Sequence, residues 1–396
     1  MRLRAIAALL IVLPVAAVTL LALQPVKSKL PPRPAPTQPL RASLAIAPLD
    51  EALTFARYAE GSALRTLAVQ RYQNGVVTGV DLGPLLQPGE DAIGLHNRLG
   101  HDATATFIAA AKSSVSHDAA TLAIPVDLRQ VHAAAATNYP EHADEAKVED
   151  GPFMFAKVAQ PTGPRDTIPA ISGLLDYEVE LCLVTLTPLP TTGGAKGGLI
   201  LCNDITDRAA LMRGADVADI TSGKGFTDGK SGKGFLPVGD LLVIPRDVEA
   251  FVKPLELSLS VNGQARQRTR VTQWIWDLDR LLVETANRRD AVWTWREGQT
   301  RLPISAQGVI PDRTLVLAGT PAGTVFQGPG PSTFVRGTLD WIAGLGQRSI
   351  VQAIVERTIA DDKASGAYLQ PGDVVTIRVD RMGTLENCVE RQGGRQ

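Results

Sequence analysis

Apolar and polar positions fall into three textures along the chain. Ala5–Leu23 is an uncharged apolar run behind Arg2 and Arg4. Its length is close to the ~20 residues that cross a bilayer as a helix. It ends in Leu21-Ala22-Leu23-Gln24-Pro25, a poor match to the small-x-small site at which a signal peptide is cut. The expectation is a hydrophobic helix over 1–24 acting as a membrane anchor, with a cleaved secretory signal as the alternative. Pro25, Pro31, Pro32, Pro34, Pro36 and Pro39 make 25–40 an extended linker. The basic start places the N-terminus in the cytoplasm and the body facing the periplasm or exterior.

The second texture covers 41–135, a smaller N-terminal α/β part. Leu53, Phe55, Tyr58, Val69 and Tyr72 read as a short helix and strands between Arg41 and Asp81. An Ala-rich stretch follows, with a helix over Ala103–Ala111 and a short strand over Thr121–Pro125. In the third texture, 136–396, apolar runs alternate with Gly, Pro, Asn and Asp turns. Strands are expected at Tyr177–Leu186, Gly198–Cys202, Leu241–Ile244, Leu255–Val261, Leu315–Leu317 and Val374–Val379. The clearest helix is Thr272–Thr285, with Ile275, Leu278, Leu281 and Leu282 on one stripe. The fold class is α+β.

Composition changes this picture little. In 396 residues, 44% are apolar, and Lys plus Arg number 40 against 41 Asp plus Glu, so the net charge is −1. There is no basic excess to neutralise phosphates, which argues against a nucleic-acid partner. Three cysteines, Cys182, Cys202 and Cys388, are an odd count that suggests no disulfide framework, and they lack zinc-site spacing.

The candidate chemistry begins with Glu178 and Glu180. On a strand, residues two apart share a face. Their carboxylates are either solvated on an exposed face or form part of a hard-metal site. Asp204, at the end of the Gly198–Cys202 run, brings a third carboxylate if the two strands pair across the 188–197 loop. Three carboxylate oxygens plus water suit an octahedral ion, Mg²⁺ or alternatively Ca²⁺ or Mn²⁺. Pro140 opens a helix on which His142 and Glu145 share a face, either as a surface pair or as a base oriented by a carboxylate. Ser222–Pro237 reads either as a mobile basic loop with a lysine, Lys230, that can reach an anionic substrate or a developing oxyanion, or as a plain flexible surface loop. Gly229-Lys230-Ser231 is no phosphate loop, because five residues separate Gly223 from Gly229 and three separate Gly225 from it, where the motif needs four between. Leu315–Leu317 runs into a turn in which Gly319 and Gly323 permit close backbone approach.

In this order, the segments from Asn138 to Val389 resemble the fumarylacetoacetate hydrolase family. The segments are Asn138-Tyr139 with His142 and Glu145, Phe153–Lys157, Glu178-x-Glu180, Asp204 with Arg208, Lys230-Ser231 with Pro237, Gly319–Gly323, and Tyr368–Val389. The resemblance implies a mixed β-roll and a dimer. It implies a metal held by Glu178, Glu180 and Asp204, with His142, Glu145 and Lys230 catalytic. Tyr139, Arg208, Ser231 and Thr320 would bind a small 2-oxo or diketo acid, whose carbon–carbon bond is hydrolysed. Decarboxylation, hydration or isomerisation through a metal-bound enolate is the alternative, and a membrane-tethered binding protein without catalysis is a second. Residues 287–308, with Trp293 and Trp295, look like an insertion.

Overall fold

The computed structural model describes Leu30, residues 34–35, 41–171 and 173–391. The apolar run and most of the proline-rich linker lie outside these residues, and so does the expected N-terminal helix. Among the described residues, no helix is long and apolar enough to cross a membrane.

The chain opens with strands β1 (Ala52–Glu60), β2 (Ala63–Gln73) and β3 (Val76–Asp81), so no helix forms between 41 and 81. Helix α1 (Ala92–Ala110) bends at Gly100 and is capped by Asp91, whose carboxylate accepts from the Ile93 and Gly94 amides. Strands β4 (Val115–Asp118), β5 (Leu122–Ala123) and β6 (Val131–Ala136) follow. Next come helix α2 (Pro140–Ala146) and strands β7 (Phe153–Val158), β8 (Ile168–Ala170), β9 (Leu175–Asp176) and β10 (Val179–Val184). After β11 (Leu189–Pro190), β12 (Gly198–Asn203) and β13 (Thr206–Asp207), the helices α3 (Arg208–Gly214) and α4 (Phe226–Lys230) lead to β14 (Leu242–Pro245).

Helix α5 (Val248–Val252), strands β15 (Glu256–Val261) and β16 (Gln264–Arg270), and helix α6 (Leu278–Asn287) come next. Residues 287–308 carry the hairpin β17 (Trp293–Trp295) and β18 (Gly298–Thr300). Strands β19 (Val309–Ile310) and β20 (Leu315–Leu317) precede helices α7 (Pro331–Ala343) and α8 (Ile350–Ser365), and β21 (Val374–Val379) and β22 (Gly383–Arg391) close the chain.

One sheet runs β4-β3-β2-β1-β14-β12-β10-β20-β6-β7, and a second runs β16-β15-β21-β22-β8. The strands of the N-terminal part thus continue the sheet of the body through the β1–β14 pairing, Leu53 opposite Ile244. Leu181, Leu183, Leu201, Val243 and Val316 of the first sheet share one buried core with Leu257, Leu259, Ile377 and Leu385 of the second. Strands β10 and β12 are buried on both faces, which is why they are apolar apart from Glu180 and Asn203.

Two expectations change here. Cys182 and Cys202 are joined by a disulfide, with Cα atoms 6.3 Å apart, and Cys388 alone is free. The antiparallel pairing sets Glu180 opposite Cys202 and Cys182 opposite Ile200, so both sulfurs leave the same face. An odd cysteine total carries no information about that register. The helix expected over Thr272–Thr285 starts only at Leu278, because Asp277 caps it by accepting from the Arg280 amide. Residues 274–276 instead run past Asn138, whose backbone and side-chain oxygens accept from the Ile275 and Trp276 amides.

Candidate active site

Strand β10 and the residues around it supply the acidic side of the site. Asp176, Glu178 and Glu180 alternate along the chain, and all three are buried. The Asp204 amide donates to the Glu178 carbonyl at 2.9 Å, so the end of β12 returns beside the start of β10. Oxygens of Glu178, Glu180 and Asp204 all lie within 4.8 Å of one another. The three carboxylates expected as a metal set are therefore brought together.

Three buried cations face them. Lys230 Nζ donates to Glu178 Oε2 at 2.7 Å, Asp204 Oδ2 at 2.9 Å and Thr206 Oγ1 at 2.8 Å. Lys157 Nζ, from β7, donates to Asp204 Oδ1 at 2.5 Å and to the Lys230 carbonyl. Arg208 bridges Asp176 Oδ2 at 2.8 Å and Glu178 Oε1 at 2.7 Å. Burial alone would raise Glu178, but Lys230 and Arg208 outweigh it and hold this carboxyl down at about 2. Burial lowers Lys157 despite the attraction of Asp204. The same burial acts against Lys230, but Asp204 and Glu178 prevail and raise it.

Glu180 is different. Its Oε2 accepts from the Gly319 amide at 2.8 Å, while its Oε1 is buried with no hydrogen-bond partner. Burial, together with Asp204 and Glu178, pushes its carboxyl well above the usual range. Four buried carboxylates, counting Asp176, meet three buried cations. The uncompensated group is the one with the orphaned oxygen. Two oxygens opposite each other across an ion are about 4.2 Å apart for Mg²⁺ and about 4.6–5.2 Å for Ca²⁺. An all-oxygen set with one unpartnered carboxylate oxygen and this span fits a hard divalent cation.

His142 is buried on α2, and Glu145 lies one turn on. His142 Nδ1 stands 3.6 Å from Glu145 Oε2, close enough for charge interaction but not for a hydrogen bond. The Gly323 amide fixes the Glu145 carboxylate at 3.0 and 3.1 Å. Gly323 has φ of 100°, and a Cβ there would meet the Arg266 carbonyl at 2.1 Å. Its close approach is thus to protein backbone. Gly319, with φ of 88°, likewise packs against Asn138.

A cavity of about 530 Å³ opens onto this constellation, with Glu178, Arg208, Lys230, His142 and Thr320 in its wall. Thr320 is held by Gln267 Nε2 and donates to the Val179 carbonyl. Two expected substrate residues lie elsewhere. Ser231 is not in the cavity wall, and its hydroxyl accepts from the Val158 amide at 2.8 Å. Tyr139 is buried behind the wall; its hydroxyl lacks a hydrogen-bond partner, and burial pushes it up.

The Lys230 segment is not a mobile surface loop. Phe226–Lys230 forms the short helix α4, and Lys230 is 3% exposed. The hairpin at 293–300 braces this segment: Trp293 Nε1 donates to the Ser222 carbonyl, and the Arg296 amide donates to Asp228. Sequence reasoning gave no site role to Asp176, which anchors Arg208 and accepts from the Val325 and Phe326 amides. The two-residue alternation Asp176-x-Glu178-x-Glu180 carried that signal. Lys157 enters the sequence reading only as the end of the Phe153–Lys157 segment, and its pairing with Asp204 depends on the β6–β7 hairpin joining the end of the sheet beside β20.

Residues 131–390 match the family model described as fumarylacetoacetate (FAA) hydrolase, C-terminal. An uncharacterized protein of Staphylococcus saprophyticus is 28% identical over 262 residues, which are 64% of this chain and 66% of that protein. The match thus spans just under two thirds of that relative. Among solved structures, a fumarylacetoacetate hydrolase from the psychrophile Exiguobacterium antarcticum superposes with a TM-score of 0.56 at 19% identity, covering 86% of this chain and 100% of that one. A 2-hydroxyhepta-2,4-diene-1,7-dioate isomerase from Mycobacterium marinum gives 0.50 at 20% identity, with the same coverages. These two likenesses concern the fold.

Proposed function

The chain belongs to the fumarylacetoacetate hydrolase family, and from that premise we propose that it is a divalent-metal-dependent enzyme hydrolysing a carbon–carbon bond in a β-diketo acid. The observation that carries this reading is the buried cluster of Glu178, Glu180 and Asp204, of which Glu178 lines one cavity together with His142, Lys230 and Arg208. Glu178, Glu180 and Asp204 would hold the ion, which supplies Lewis-acid polarisation of a substrate carbonyl.

The remaining chemistry belongs to the side chains. His142 takes a proton from water at the cavity wall as the oxygen adds to the carbonyl carbon. Glu145, fixed by Gly323, stabilises the imidazolium that results. The bond to the neighbouring carbon then breaks, its electron pair passes to the leaving enolate, and the enolate carbon takes up a proton. Lys230 and Arg208 place positive charge beside the oxygens on which negative charge develops. Arg208 is stiffened for that role by Asp176 and by Phe326, whose ring lies 5.3 Å from the guanidinium carbon.

An isomerase reading has support from the dienedioate isomerase neighbour, since both reactions pass through an enolate. The test is turnover of acetopyruvate by the purified full chain with Mg²⁺ and with chelator. Cleavage in Mg²⁺, lost in chelator and reduced roughly 100-fold or more in His142→Ala, is the expected result. Ketonisation of a 2-hydroxydienoate without cleavage of any diketo acid would favour the isomerase. The extracytoplasmic placement of the body is supported by the buried Cys182–Cys202 disulfide, since such bonds persist in oxidising compartments.

A further inference from the structure

The cavity is larger than a short diketo acid needs, and its two ends differ. The inner end is polar: Glu178, Arg208, Lys230, His142 and Thr320. The outer part is apolar and is built by helices. Leu211 and Met212 of α3 form one wall. Val351, Ile354, Val355 and Thr358 of α8 form the other, at the i, i+3, i+4, i+7 spacing of a single helical stripe. Phe334 of α7 lies at the edge. The stripe is fixed over α3 by Arg213, whose guanidinium grips both oxygens of Glu356 at 2.7 and 2.9 Å.

Charge in the wall argues against a second carboxylate at that end. Arg208 and Lys230 are committed to the inner carboxylates. The remaining cation in the wall, Lys147, donates to the Pro329 carbonyl and stands with the acidic Glu149 and Asp150. A dicarboxylate would bring its far charge against apolar side chains and two like charges.

We propose that this site takes a monocarboxylic 2-oxo or 1,3-dicarbonyl acid whose far substituent is an apolar chain of several carbons, lying between α3 and the α7–α8 hairpin. The inference rests on the reading above in that the inner end binds the oxo-acid head. About 530 Å³ falls within the ~300–1,000 Å³ typical of sites that enclose a drug-sized ligand. The chain binds by removal of apolar surface from water, and each buried methylene strengthens binding by up to about fourfold.

The test is calorimetric titration of the full chain, in Mg²⁺, with 2-oxobutanoate, 2-oxohexanoate, 2-oxooctanoate and 2-oxoadipate. Affinity rises at least tenfold from the four-carbon to the eight-carbon acid, and 2-oxoadipate binds no tighter than 2-oxobutanoate. Val351→Glu puts a charge on the stripe at a residue 42% exposed, where the fold tolerates it, and flattens the rise. Thermal unfolding of that variant serves as the fold control, and Val355→Glu repeats the measurement one helical turn on. Equal affinity at all lengths, no binding at any length, or a rise that survives both variants overturns the proposal. Acetopyruvate cleavage with a flat length dependence rejects the tail site and leaves the proposed function standing. A length dependence without diketo-acid cleavage does the reverse.

Discussion

Replacing Lys157 with Met probes how the site is held together without touching the cavity wall. Met fills much the same volume, so packing is largely kept. What is lost is an ammonium with no solvent exposure, its 2.5 Å bond to Asp204 and its bond to the Lys230 carbonyl. Breaking a buried ion pair by removing one partner costs about 3–5 kcal/mol, because the other charge is left uncompensated. Asp204 keeps Lys230 at 2.9 Å, which moves the value to the low end. The orphaned carbonyl adds about 1 kcal/mol. Relief of the desolvation that lowers Lys157 works the other way. The net expectation is a loss of about 3 kcal/mol in chelator.

A divalent ion on Asp204 restores a positive partner, so the loss in saturating Mg²⁺ falls to about half that value. The cycle then requires the variant to bind the ion more tightly, tenfold for each ~1.4 kcal/mol recovered. Denaturant unfolding of both proteins, with Mg²⁺ and with chelator, gives all four corners. Equal stability of variant and wild type in chelator would refute the buried pair. An equal loss in both conditions would refute the placement of the ion beside Asp204.

Other outcomes follow from particular groups. Asp362 is raised to about 6 by burial, against the hydroxyl hydrogen bond from Tyr368. The folded state therefore binds the proton more tightly than the unfolded one, and the stabilisation is complete below about pH 4. About 3 kcal/mol is lost as pH rises through about 6. Thermal melts between pH 4 and 7 show this decline, and Asp362→Asn removes it. Alkylation of denatured, unreduced protein labels Cys388 alone, and reduction exposes Cys182 and Cys202; three reactive thiols before reduction would contradict the disulfide.

Much of the metal-binding half of the site is legible in the chain because strand geometry has a period of two. Glu178 and Glu180 must share a face, and the apolar runs around them must be buried. The turn glycines and the proline opening α2 are local signals of the same kind. What the chain conceals is pairing at long range. Cys182 meets Cys202 only through the register of β10 and β12, and Lys157 meets Asp204 only because β6 and β7 join the sheet beside β20. Ser231 stands beside a site lysine, yet its hydroxyl serves the β7 backbone.

The α7–α8 hairpin had its own markers, Pro331 at the first turn and the Ser349–Gln352 capping box, but its apolar stripe is short and broken by charged residues. The Thr272–Thr285 stripe shows the opposite failure. Its helical period extends across Trp274–Trp276, where hydrogen bonds to Asn138 hold the backbone out of the helix.

The central claim is that the carboxylates of Glu178, Glu180 and Asp204 hold a divalent ion. Glu180 is the group to change, since its outer oxygen has no partner within the protein and its loss leaves the Lys230 and Arg208 pairs in place. Calorimetric titration of Mg²⁺ into the chelator-treated full chain should show one site per chain, weakened about 100-fold or more in Glu180→Gln. Equal affinity in the variant, or no binding by the wild type, would contradict the account.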